Sequence, residues 1–88
     1  MEFLFLEDLP AKIKLLRVID CCPKEEIGLT IFEIREMGIT VSWDILENLV
    51  EQSFLIKIFV DDDVLYQINH PGAQFLVYVA RLEKVLLT

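Results

Sequence analysis

"TIFEIREMGITVSWDILENLVEQSFLIKI", residues 30–58, holds two helix starts, a glycine stop and the onset of a strand. Thr30 followed by Glu33 has capping-box spacing: the hydroxyl can accept from the third helical amide while the carboxylate reaches back. The short helix it starts ends at Gly38, a residue suited to the position just past a helix C-terminus. Ile39 sits in the turn, and Ser42 caps a second helix from Trp43 to about Gln52. At about 100° per residue, Ile45, Leu46, Leu49, Val50 and Trp43 fill one arc of that helix, and Asp44, Glu47, Asn48, Glu51 and Gln52 fill the other.

Downstream, "FLIKIFV" (54–60) is rich in β-branched and aromatic residues, and "VLYQI" (64–68) pairs with it as a hairpin across Asp61, Asp62 and Asp63. Asn69 caps a last helix, about 70–87, with Pro71 and Gly72 in its first turn. Only Gln74, Arg81, Glu83 and Lys84 are strongly polar there before Thr88, which predicts a central helix or one packed on another chain. Upstream, Asp8 caps a helix with Pro10 in its first turn. Ile13, Leu16, Val18, Ile19 and Cys22 point inward, Lys12, Lys14 and Arg17 outward, and Pro23 ends it. "EFLFL" near the start is an edge strand or an extension of this helix.

Eighty-eight residues make a single domain, 1–88, and a chain of this size buries only roughly 60–65% of the surface its unfolded form exposes. With 55% hydrophobic residues it carries more apolar material than one small core hides, so some is expected to be covered by a partner or a second copy. No apolar run approaches the roughly 18–20 residues of a membrane span. The acidic start lacks the basic region of a signal peptide, so a cytoplasmic, reducing location is expected. The adjacent Cys21 and Cys22 are then read as reduced thiols packed at a helix end. Fifteen acidic against eight basic residues give a net charge of −7, which argues against free-standing nucleic-acid binding.

The order helix, helix, turn, helix, hairpin, helix resembles the winged-helix family of helix-turn-helix domains over about residues 9–87. The likeness rests on residues 30–58 and on "VLYQINHPGAQFLVYV", similar to a second wing strand leading into a C-terminal helix in small prokaryotic and archaeal regulators. Gly38 matches the turn glycine, while Ile34 stands where the motif usually has a small residue. The resemblance implies an α+β winged helix: a three-helix helix-turn-helix core, a hairpin wing and a C-terminal helix.

In that family the third helix enters the DNA major groove and the wing touches the backbone. The corresponding positions here are Asp44, Glu47, Asn48 and Glu51, with Asp61, Asp62 and Asp63 at the wing tip. Residues 40–80 hold six acids and one base, Lys57, so phosphates would be repelled. The expectation is therefore a non-enzymatic protein-interaction module, a regulator or subunit of a transcription- or replication-type machine, whose acidic third helix and wing meet a basic protein surface. The alternative is a dimeric DNA-binding transcription regulator with phosphate contacts from Lys12, Lys14, Arg17, Lys24 and Arg35. Either form is expected to be a homodimer through Leu76, Val79, Leu82 and Leu86, with residues 3–6 as a further element.

The same residues also have blander readings. The aspartates suit a solvated turn, and no glycine-spaced calcium loop surrounds them. His70 is the sole histidine and lacks a nucleophile and orienting group at any recognisable spacing. Trp43, at the edge of the apolar arc, is expected in the core, with an interface anchor as its alternative. No catalytic residue, metal ligand or cofactor is expected.

Overall fold

A computed structural model describes residues 8–23 and 26–87. The elements run α1 (Leu9–Asp20), α2 (Ile31–Glu36), α3 (Trp43–Glu51), β1 (Leu55–Val60), β2 (Asp63–Ile68) and α4 (His70–Leu87). Among the described residues the fold is thus α+β, four helices and one two-stranded antiparallel sheet. The expected strand or helix extension at residues 3–6 lies outside the described residues.

Local chemistry sets most boundaries. The Thr30 hydroxyl accepts from the Glu33 amide at 3.1 Å, and the Glu33 carboxylate accepts from the Thr30 amide at 2.9 Å. Gly38 follows α2 with φ 85°, a left-handed conformation costly for any residue with a Cβ. The Ser42 hydroxyl accepts from the Ile45 amide at the start of α3. Asp8 departs from expectation. It adopts φ 55° and makes no side-chain cap bond, and its carbonyl accepts from the Lys12 amide instead. A capping side chain needs the extended backbone of an N-cap, which a left-handed residue does not supply.

The hairpin register runs from Leu55 opposite Ile68 to Val60 opposite Asp63, leaving Asp61 and Asp62 as the turn. Asp61 has φ 55°, which aspartate tolerates better than most residues with a side chain. At the open end, the Asn69 amide donates to Phe54 O and its side-chain amide donates to Ser53 O, both at 3.0 Å. Asn69 Oδ1 also accepts from the His70 amide. One residue therefore closes the hairpin and starts α4.

A further pairing joins the sheet to the chain before α2. Leu29 N donates to Tyr66 O at 3.1 Å and Tyr66 N to Leu29 O at 2.8 Å, an isolated antiparallel bridge. Gly28 permits the approach: a Cβ there would come within 2.7 Å of the Tyr66 carbonyl oxygen.

The core draws on every element: Leu15, Leu16 and Ile19 from α1, Ile31 and Ile34 from α2, Leu46 and Leu49 from α3, Leu55 and Tyr66 from the hairpin, and Leu76 from α4. Leu29, Ile39 and Val41 fill the gaps between elements. Three expectations change here. Lys12 does not face outward but is 3% exposed, because Lys12, Leu15, Leu16 and Ile19 occupy the i, i+3, i+4, i+7 stripe that packs inward. Leu76, expected at a dimer face, is buried at 8% exposure, since the N-terminal half of α4 lies on the core and Phe75 stacks near Phe54. Trp43 is 48% exposed, because as the first residue of α3 it projects past the Leu46–Leu49 stripe.

Candidate functional site

The acidic residues singled out in the sequence fall into three environments. Asp44 and Glu51 are exposed along α3, and Asp61, Asp62 and Asp63 are exposed at the hairpin tip. Glu47 is half-buried and pairs with Lys57 of β1, which runs beside α3. Asn48 is half-buried too, and its Oδ1 is buried without a hydrogen-bond partner among the described residues. Of these residues, Asp44, Glu51 and the hairpin tip are exposed, while Glu47 is engaged with the hairpin through Lys57.

Lys57, the base of this region, is engaged twice. Its hydrogen bond to Glu47 holds the ammonium pKa above its ordinary value, and its Nζ lies 5.8 Å from the Phe59 ring centroid. Its charge thus offsets a neighbouring carboxylate rather than standing ready for a phosphate.

The described basic residues of the DNA alternative come from α1 and α2. Lys14 is exposed, Lys12 is buried, and Lys24 lies outside the described residues. Arg17 forms an ion pair with Glu83, joining α1 to α4. Arg35 donates to Val41 O at 3.4 Å across the turn between α2 and α3. Lys14 and Arg17 line one groove together with Val18, Met37 and Ile39.

Other candidate chemistry is quiet. Cys21 and Cys22 are free thiols. Burial, together with the Glu26 carboxylate that accepts its S–H at 3.7 Å, pushes the Cys22 thiol pKa up and suppresses the thiolate. Among the described residues no three His, Cys, Asp or Glu side chains gather as metal ligands.

Two aromatic residues join the acidic tip. Phe32 is 67% exposed and Trp43 48% exposed, and both line a notch with Asp62, Asp63, Ile31 and Val64. Trp43 was legible in the sequence as an interface anchor, the secondary reading. Phe32 carried a signal as well: beside Ile31 and Ile34, which are one turn apart, it falls off the inward stripe of α2. On α4, Val79 is half-buried, while Leu82 and Leu86 are exposed at 56% and 82%. Among the described residues no helix is long and apolar enough to cross a membrane. No family model matches the chain, and neither a curated protein nor a solved structure matches it.

Proposed function

We propose that the chain is a winged-helix domain acting as a non-enzymatic protein-interaction module, a regulator or subunit of a machine that handles nucleic acid. Its acidic α3 and hairpin tip dock on a basic protein surface. The order of elements supports the fold, with α3 followed by an antiparallel hairpin and a C-terminal helix. The observation that carries the function is the distribution of charge. Asp44, Glu51 and Asp61 to Asp63 are exposed, and the nearby Lys57 is already paired with Glu47. Such a surface repels phosphates and steers a basic partner into register, favouring association rate and specificity. Burial of exposed apolar side chains supplies the main drive.

Under this reading the exposed apolar residues of α4, led by Leu82 and Leu86, pair with a second copy.

Fluorescence anisotropy with mixed-sequence duplex DNA and with an arginine-rich amphipathic peptide, both at low salt, tests the proposal. The peptide is expected to bind, and the DNA to remain free at roughly 100 µM protein, where even non-specific DNA binders associate. DNA binding at that concentration, weakening steeply with salt, would overturn the module reading in favour of the regulator.

A further inference from the structure

The notch between the start of α2, the start of α3 and the hairpin tip differs from the rest of the acidic surface. Two exposed aromatics, Phe32 and Trp43, line it together with the exposed Asp62 and Asp63 and with Ile31 and Val64. Its cavity volume is about 110 Å³. That is well below the roughly 300–1,000 Å³ of a small-molecule site, and is the scale of one side-chain end.

We infer that this notch is the anchor point of the acidic surface and receives an arginine side chain of a partner protein, flanked by apolar residues. This rests on the proposed interaction function and names its recognition element. A guanidinium is planar and weakly hydrated. It stacks on an aromatic face while its N–H groups reach carboxylates, so it uses both kinds of side chain at once. A lysine ammonium makes the charge contact without the planar fit. A nucleobase could stack on Trp43, but its phosphates would then lie against Asp62 and Asp63. The geometry also accounts for a feature that fold stability leaves unexplained: two large aromatics left in solvent.

Trp43 is the sole tryptophan, so its fluorescence reports occupancy of the notch directly. The probe is a capped pentapeptide with one arginine between two leucines, titrated against the same peptide with glutamine in place of arginine. The arginine peptide is expected to produce a saturable change in Trp43 emission, and the glutamine peptide none. The doubly substituted D62N/D63N chain should bind about tenfold more weakly, the combined effect of two exposed ion pairs. Phe32→Ala should weaken binding further. Both changes are at exposed positions, and circular dichroism checks that the variants fold. Binding unaffected by D62N/D63N but lost in D44N/E51Q would overturn the notch and leave the wider acidic docking surface standing. An arginine peptide that leaves Trp43 emission unchanged at millimolar concentration would overturn the notch as well. Saturable quenching by single-stranded DNA would overturn both this inference and the function on which it rests.

Discussion

Tyr66 is the largest of the fully buried side chains among the described residues. Its ring is fully buried, and its hydroxyl has no hydrogen-bond partner among the described residues. A buried hydroxyl left unpaired is a cost, so Tyr66→Phe should be neutral or stabilise by up to about 1 kcal/mol in a urea or thermal melt. Burial also pushes the Tyr66 pKa above its ordinary value, because the phenolate would be desolvated. The folded state therefore favours the neutral phenol. That contribution is fully present below the unfolded pKa of about 10 and is lost as pH rises through the higher folded value. Lys57, raised by its hydrogen bond to Glu47, acts in the same window and with the same sign. Melting temperature should accordingly fall on the alkaline side, and Tyr66→Phe should flatten that fall in part. An unchanged alkaline slope would show that Tyr66 does not carry it.

Among the elements, those set by neighbours along the chain were legible and those set by distant partners were not. The α2 capping box, the left-handed Gly38, the Ser42 cap, the hairpin pairing and the span of α4 all follow from residues within a few positions of each other. The isolated Leu29–Tyr66 bridge carries no local pattern, because one residue of extended chain has no period to detect. Lys12 is buried against the expectation from its charge, because it lies on the inward stripe of α1. The two kinds of determinant differ in what their loss does. Thr30→Ala removes one half of the capping box and should cost about 1 kcal/mol. Gly28→Ala forces a methyl group against the Tyr66 carbonyl and should cost about 1–3 kcal/mol. Chemical denaturation of both variants checks the order; a milder effect at Gly28 would mean that the bridge yields easily.

At the scale of the whole molecule, the excess of apolar residues read from composition reappears as exposed surface. Val77, Tyr78, Leu82 and Leu86 of α4 and the Phe32–Trp43 pair lie at different places on the chain's surface. The acidic character of the candidate site was legible, since charge needs no fold to be counted. Which carboxylates share a notch with which aromatics was not, because α2, α3 and the hairpin tip meet only in three dimensions. If α4 mediates self-association, light scattering should give twice the monomer mass, and Leu82→Glu should return it to the monomer. Because Leu82 is 56% exposed, that change should alter folded-state stability by no more than about 0.5 kcal/mol. A dimer that survives Leu82→Glu would remove α4 as the interface. The Leu29–Tyr66 bridge, finally, ties together parts of the chain that are far apart in sequence. A capped helical turn or a hairpin assembles from neighbours within about microseconds. The two reciprocal amide bonds of the bridge instead close a loop that contains α2, α3 and β1, so their closure costs more chain entropy than a local turn. In deuterium exchange, the Leu29 and Tyr66 amides should open only with the whole domain, while the exposed end of α4 exchanges by fraying.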